Sequence, residues 1–136
     1  MPTIPWTSPK PQPPAVGPVT IMASRLQLRR LVDVPAFLLA ALKVRRQMLA
    51  SEGALGVSLV AKPLTRTFWT LSAWQDQSSL RSSVGREPHL GVMKRFRPRM
   101  AGSSFVTWTG DPTALPVPWP EALRRLENPD TVRDHR

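Results

Sequence analysis

The prolines of this chain are concentrated at its two ends. Of the 16 prolines, seven lie in residues 1–18 and five in residues 111–136, which leaves four in the 92 residues between. Because proline lacks the backbone donor that helices and sheets use, neither end is expected to build much regular structure. The sequence therefore predicts an extended proline-rich arm over 1–18, one folded domain over 19–110, and a proline-rich tail over 111–136 with at most a short helix near Glu121 to Leu126.

The positive charge lies in the middle part of the chain. Residues 19–110 carry 14 Lys and Arg against four Asp and Glu, a net +10, while the two ends contribute +1 and −1. A chain this basic suits anionic partners such as nucleic acid, a phosphate ester, a carboxylate or an acidic membrane surface. The absence of cysteine excludes disulfides, thiolate zinc sites, iron–sulfur clusters and cysteine nucleophiles. No apolar stretch approaches the ~20 residues of a membrane span, and no signal peptide pattern is present, so we expect a cytoplasmic protein.

The apolar pattern of the middle part predicts four strands and two helices. The strands are VTIMASRLQLRRL, ALGVSLVAK, TRTFWTLSAW and GSSFVTWT, in which large side chains alternate. One helix runs from Asp33 to Gly53, and a second starts at Asp76, breaks at Gly85 and restarts at Pro88. The resulting order is an α+β, ferredoxin-like βαββαβ arrangement, an antiparallel sheet with two helices on one face.

The third predicted strand carries large rings on both of its faces. Trp69 lies on one face and Trp74 on the other. The two helices cover one face of the sheet, and the proline-rich ends are not expected to cover the other. Because a sheet with an open aromatic face aggregates, a second subunit is the simplest cover. The sequence therefore predicts a homodimer that pairs sheet against sheet.

The segment from the third strand through the second helix resembles the antibiotic-biosynthesis-monooxygenase group of dimeric α+β barrels. Its matching residues are Phe68, Trp69, Ser72, Trp74, Asp76 at the helix cap, and Pro88-His89. The long first strand, the helix start at Pro35, and Gly53 before an apolar strand agree in layout. The resemblance covers about residues 19–110 and is nearest to small actinobacterial-type proteins that are distantly related to spheroidene monooxygenase.

That superfamily includes cofactor-free oxygenases, haem-degrading enzymes, haem-binding dehydratases and cyclases. The resemblance implies a monooxygenase-like oxidoreductase of secondary metabolism, acting on a hydrophobic aromatic or polyene substrate in a pocket between helices and sheet, with no cofactor or with haem. The haem-degrading and quinone-forming branches rely on an Asn of the first strand, whereas the only Asn here is Asn128 in the tail. Two alternatives stay open, a haem-binding protein with His89 as axial ligand and a non-catalytic protein that binds an anionic ligand or nucleic acid.

His89 is the one histidine of the middle part and the candidate catalytic residue, since His135 lies near the end of the chain. On a helix it shares a face with Val92 and Phe96, at spacings of three and seven. Burial and the nearby helix start would both favour the neutral imidazole, which can accept a substrate proton or bind haem iron. The structural alternative is that His89 only packs its helix turn. Apart from such a haem, the sequence predicts no metal site.

The other candidate site residues fall into two groups. The substrate-binding candidates are Trp69, Trp74, Ser24, Thr70, Ser72, Met93 and Phe96. The anion-binding candidates are Arg86, Arg95 and Arg97, in the most basic stretch of the chain. Nucleic acid is the less favoured partner, because single-strand binding uses exposed aromatic rings beside the cations and these tryptophans belong to covered strands.

Overall fold

Five antiparallel strands form one sheet in the computed structural model, which describes residues 3–8 and 17–127. The strands are β1 (Thr3–Thr7), β2 (Val19–Leu28), β3 (Ala54–Lys62), β4 (Thr67–Trp74) and β5 (Met100–Gly110). Their order across the sheet is β1-β3-β4-β2-β5, so β2 and β4 are central while β1 and β5 form the edges. The ferredoxin-like α+β fold is confirmed, with β1 as an additional edge strand.

Four α-helices accompany the sheet: α1 (Val34–Leu49), α2 (Gln77–Val84), α3 (His89–Phe96) and α4 (Trp119–Glu127). The carboxylate of Asp76 caps α2 by accepting a hydrogen bond from the backbone N of Ser79 at 2.7 Å, as the sequence predicts. Asp33 precedes α1 but makes no cap hydrogen bond; it accepts from Nη1 of Arg99 at 2.7 Å. No helix within residues 3–8 and 17–127 has the length and apolar character needed to cross a bilayer.

Helices α1, α2 and α3 cover one face of the sheet, here called the helix side. Two buried clusters lie there, one around Phe37, Phe68 and Phe96 and one around Met48 and Trp74. Phe37 stacks on Phe68 with ring centroids 4.7 Å apart and meets Phe96 edge-on at 5.1 Å. This packing fixes α1 and α3 against the central strands.

The chain's own ends cover the opposite face, here called the tail side. Val117, Ala122 and Leu126 of the tail are buried against Ile21 and Trp108 of the sheet. The indole of Trp119 donates to the hydroxyl of Ser58 on β3 at 3.1 Å. Burying these apolar side chains stabilises the fold in the same way as any core contact. The prediction that the proline-rich ends leave this face open is therefore wrong.

The N-terminal arm also contributes to the sheet. β1 pairs antiparallel with β3, and a register irregularity between Ile4 and Thr7 accommodates Pro5. Proline is tolerated there because an edge strand has one unpaired side. The missing side chain of Gly56 leaves room for the Trp6 ring, since a Cβ at that position would overlap it. The rest of the predicted arm, residues 1–2 and 9–16, lies outside the described residues.

Candidate functional site

His89 begins α3, and its backbone N–H is anchored to a side chain of α1. Its backbone N donates to Oε1 of Gln47 at 3.0 Å, and Nε2 of Gln47 donates to the carbonyl of Ser83 at 2.8 Å. Gln47 thus ties α1 to the end of α2 and the start of α3. Three helices fix the position from which His89 projects.

The imidazole of His89 is half-buried and carries a nitrogen without a partner. Its Nδ1 is shielded from solvent and makes no hydrogen bond to any described residue. Burial lowers the pKa of His89 below its ordinary value of 6.5, because desolvation penalises the imidazolium. The side chain is therefore neutral near pH 7 and has an unused position for accepting or donating one proton.

The hydroxyl candidates lie on the helix side of the central strands, and Thr70 and Ser72 share a face of their strand as the alternation predicts. Ser24 and Thr70 face each other across the β2–β4 pair and share a short hydrogen bond. The hydroxyl of Ser72 accepts from Nε1 of Trp74 at 3.0 Å, and both residues are fully buried. All three hydroxyls therefore have partners within the sheet layer: Ser24 and Thr70 bond each other, and Ser72 bonds the Trp74 indole.

The aromatic and methionine candidates divide between the two sides of the sheet. Trp74 and Phe96 are buried in the helix-side clusters, at 0% and 1% exposure. Trp69 lies on the tail side, partly buried, with the ammonium of Lys62 5.7 Å from its ring centroid. Met93 is exposed on α3. The structure does not bring these four side chains to one place.

A groove of about 450 Å³ runs between α1 and α3. It is lined by Ala36, Leu39, Ala40, Lys43, Glu87, Pro88, Gly91, Val92 and Arg95. Its volume falls in the range of small-molecule sites, about 300–1,000 Å³. Three lining residues, Pro88, Gly91 and Val92, flank His89 along the chain. The groove, unlike the predicted pocket between helices and sheet, has no strand residue in its wall.

The charges at the groove favour an anion. Lys43 and Arg95 stand at its rim, and neither makes an ion pair with a described residue; Arg95 lies 4.8 Å from the ring centroid of Phe96. Glu87 also lines the groove, but its Oε1 accepts the backbone N–H of Gly91 at 2.8 Å. The two cations, Lys43 and Arg95, outnumber the single carboxylate of Glu87. The groove therefore attracts a negatively charged group.

The other two anion-binding candidates lie elsewhere. Arg86 is in a second, polar cleft of about 250 Å³, which is lined mainly by serines of α2 and also by Glu52 and Asp76. Arg97 follows α3 in a short 3₁₀ turn, Arg97–Arg99. Only Arg95 of the predicted set reaches the groove.

The groove itself was not predicted, and its second cation, Lys43, was not among the candidates. The sequence signal for it is weak: on α1, Ala36, Leu39, Ala40 and Lys43 recur at spacings of three and four. A stripe with two alanines leaves space for a neighbouring helix or a ligand. The sequence does not show which of these uses applies.

Comparison with known proteins identifies the fold. No family model and no curated protein matches the sequence. Solved structures do match, among them SnoaB, a cofactor-independent oxygenase from Streptomyces nogalater, with 14% identity, 72% of this chain and 97% of that chain covered, and a TM-score of 0.58. A candidate antibiotic biosynthesis monooxygenase from Nitrosomonas europaea matches with 13% identity, 68% and 89% coverage, and a TM-score of 0.61.

A conserved protein from Methanosarcina mazei is similar to the same degree, with 12% identity, 66% and 90% coverage, and a TM-score of 0.59. At these identities the likeness establishes the fold and not the chemistry. The resemblance stated from the sequence is confirmed at that level. This chain has the ferredoxin-like α+β fold of the antibiotic-biosynthesis-monooxygenase-like structures.

Proposed function

We propose that this protein is a small-molecule, monooxygenase-like enzyme that removes a proton from a hydrophobic aromatic substrate through His89. The observation that carries the proposal is the buried, unpartnered Nδ1 of a neutral imidazole, on a residue whose chain neighbours Pro88, Gly91 and Val92 line a groove of ligand size. Buried polar atoms in proteins nearly always have a partner, so an orphaned one marks a candidate functional group. A substrate proton would supply the missing partner.

The groove determines the class of substrate. Ala36, Ala40 and Val92 offer an apolar surface for a ring, while Lys43 and Arg95 offer two cations for a carboxylate, sulfonate or phosphate. An aromatic anion with a ring hydroxyl satisfies both. Its hydroxyl would face α3 and exchange its proton with His89 through one bridging water. The same combination also suits a polyene acid, the second substrate class expected from the sequence.

The chemistry follows from the proton transfer. A neutral imidazole that accepts the proton of a ring hydroxyl leaves an electron-rich phenolate in the groove. Dioxygen, the proposed co-substrate, then oxidises the phenolate. One oxygen atom bonds to a ring carbon that becomes a carbonyl, and the other leaves as water with the hydrogen of that carbon and the proton that His89 took up. SnoaB is described as a cofactor-independent oxygenase. We assign the same kind of reaction to the present chain, with His89 acting in place of the first-strand Asn that this chain lacks. The chain's own residues would bind the ring, neutralise its anionic group and hold the proton.

Dioxygen uptake with a panel of hydroxynaphthoates tests this function. We expect the full chain to consume dioxygen with at least one member, and His89→Gln to lower kcat by about 10²-fold or more, because a general base is lost. Lys43→Gln is expected to raise KM with little change in kcat, since it removes binding and no chemistry. His135→Gln, at the other histidine, is the matched control and should leave both constants unchanged.

Undiminished turnover in His89→Gln would contradict the proposal. Binding of the panel without dioxygen uptake would instead support the alternative stated from the sequence, a non-catalytic protein for an anionic ligand. In that case the affinity should still depend on Lys43 and Arg95.

The second alternative, haem with His89 as axial ligand, fits the structure poorly. Axial ligation requires the iron to bond an imidazole nitrogen directly, so the histidine must stand at the wall of an open slot. His89 lines neither the α1–α3 groove nor the serine-lined cleft. Haem iron has to bond the imidazole nitrogen itself, whereas proton transfer from a ring hydroxyl can run through one bridging water.

The sequence predicts a homodimer because it expects one face of the sheet to be open. In the structure, α4 and Trp6 cover that face. We infer that sheet-against-sheet pairing requires α4 to leave the sheet first. Sedimentation of the full chain, compared with a chain that ends at Gly110, measures whether the tail and a second subunit compete for the same surface.

A further inference from the structure

Three loops meet at one end of the sheet and form what we call the basic tip, residues 29–33, 62–66 and 97–99. The strand register brings them together, since Gln27 and Lys62 both pair with Thr67, and Leu28 pairs with Met100. We propose that the basic tip docks the protein on a membrane surface that contains anionic lipids. This inference does not rest on the proposed function.

The tip is strongly cationic. Its cations are Arg29, Arg30, Lys62, Arg66, Arg97 and Arg99. Its single acidic residue, Asp33, is 8% exposed and bound by Arg99 at 2.7 Å. Basic clusters of this size are attracted to the negative potential of anionic headgroups, and each cation near the surface adds to the attraction.

The tip also exposes aliphatic side chains between these cations. Leu64, Val32 and Leu31 have relative exposures of 84%, 68% and 52%. Leu64 is the most exposed large apolar side chain among the described residues. Apolar side chains flanked by cations are the pattern of interfacial membrane binding, in which the apolar groups enter the headgroup layer. In water their exposure brings no benefit to the fold.

The loops that present these side chains are fixed by hydrogen bonds. Arg66 adopts a left-handed conformation with φ of 59° at the β3–β4 turn. It is anchored twice to Leu28: its carbonyl accepts the N–H of Leu28 at 2.9 Å, and its Nε donates to the carbonyl of Leu28 at 3.1 Å. Nε of Arg29 donates to the carbonyl of Met100 at 2.8 Å. Leu64 is therefore directed outward by a built turn, and docking does not have to order it first.

A lipid surface explains the tip better than a nucleic acid does. Phosphate binding accounts for the cations, but single-stranded nucleic acids also use aromatic rings for stacking, and the tip sequence contains none. Leu31, Val32 and Leu64 would remain in water beside a nucleic acid backbone. Only an apolar layer behind the anionic headgroups uses both features.

Vesicle binding tests the proposal with the full chain. We expect it to cosediment with phosphatidylcholine vesicles that contain phosphatidylglycerol, and not with phosphatidylcholine alone. Leu64→Ser should lower the partition coefficient by roughly tenfold, because one leucine no longer enters the bilayer. Arg30→Gln with Arg97→Gln should lower it by about tenfold or more. Two matched controls lie away from the tip and should bind as the parent does. Leu123→Ser is the control for Leu64→Ser, and Arg46→Gln with Arg81→Gln is the control for the arginine pair.

A label measures insertion directly. Because the chain has no cysteine, Leu64→Cys accepts a nitrobenzoxadiazole dye at one position. We expect its fluorescence to rise on anionic vesicles, while the same dye at Leu123→Cys stays constant. The proposal is overturned if the anionic vesicles do not bind the chain, or if Leu64→Ser binds them as well as the parent does. Salt-sensitive binding to an oligonucleotide, independent of Leu64 and stronger than vesicle binding, would assign the tip to nucleic acid instead.

Discussion

Removing residues 111–136 is expected to lower the free energy of unfolding by about 5 kcal/mol or more. The tail buries Val117, Ala122 and Leu126 on the sheet, where they are 7%, 0% and 8% exposed. Each large apolar side chain that is buried contributes about 1.5–3 kcal/mol. Trp119 adds apolar area and a hydrogen bond to Ser58. Without the tail, Trp108 and its neighbours on the sheet face water.

Urea denaturation of a chain that ends at Gly110 measures this loss. The matched control ends at Glu127, which keeps α4 and removes only the residues beyond it. We expect the shorter chain to unfold at much lower urea, or to associate through its exposed sheet, while the control unfolds as the full chain does. Equal midpoints for all three chains, together with monomeric behaviour, would show that α4 does not pack on the sheet.

Replacing Trp74 with alanine is expected to cost about 3–5 kcal/mol of stability. The side chain has 0% exposure within a cluster that includes Met48 and Leu80, so its removal leaves a cavity under α1 and α2. It also deprives the Ser72 hydroxyl, equally buried, of the Nε1–H that it accepts at 3.0 Å. An unpaired buried hydroxyl adds to the cost of the cavity.

Thermal unfolding of Trp74→Ala checks the loss, and Trp74→Phe is the control that keeps most of the volume. The pair also tests the substrate-binding role that the sequence suggested for Trp74. If that ring stacks on a substrate, Trp74→Phe should weaken binding of an aromatic anion. We expect Trp74→Phe to bind it unchanged, because Trp74 is not among the residues that line the groove between α1 and α3.

The sequence predicts the sheet well where one physical rule decides the outcome. Alternation with a period of two places Thr70 and Trp74 on one face of their strand and Trp69 on the other, and the strand pairings agree. The break between α2 and α3 follows from Gly85 and Pro88, which interrupt the helical pattern locally. Such features depend on near neighbours in the chain, and the sequence carries them in full.

The two proline-rich ends show where such rules fail. The many prolines correctly predict that the N-terminal arm forms no interior strand. β1 is an edge strand, where Pro5 needs no hydrogen-bond partner for its backbone nitrogen. α4 begins after a run of prolines because proline is acceptable in the first turn of a helix. Whether such segments dock on a sheet depends on long-range packing of Trp6 and Leu126, which no local pattern reveals.

The candidate site was partly predictable. The neutral, half-buried state of His89 follows from its place on an apolar helix face, and burial does lower its pKa. The groove was not predictable, because it depends on how α1 and α3 are spaced. Lys43 and Arg95 lie 52 positions apart in the sequence, and only the fold brings them to one rim.

The imidazole ¹⁵N resonances of His89, followed by NMR while anilinonaphthalene sulfonate is added to the full chain, test the central proposal most directly. At pH 6.5, where an ordinary histidine is half protonated, we expect His89 to be mainly neutral because its pKa is lowered. We expect its resonances to shift with the added anion and to saturate at the affinity that dye fluorescence reports. In the double variant Lys43→Gln with Arg95→Gln, the resonance shift and the fluorescence change should weaken together. In the control double variant Arg46→Gln with Arg81→Gln, both signals should respond as in the parent. Saturable binding that depends on Lys43 and Arg95 but leaves His89 unshifted would contradict the proposal, as would a protonated His89 at neutral pH.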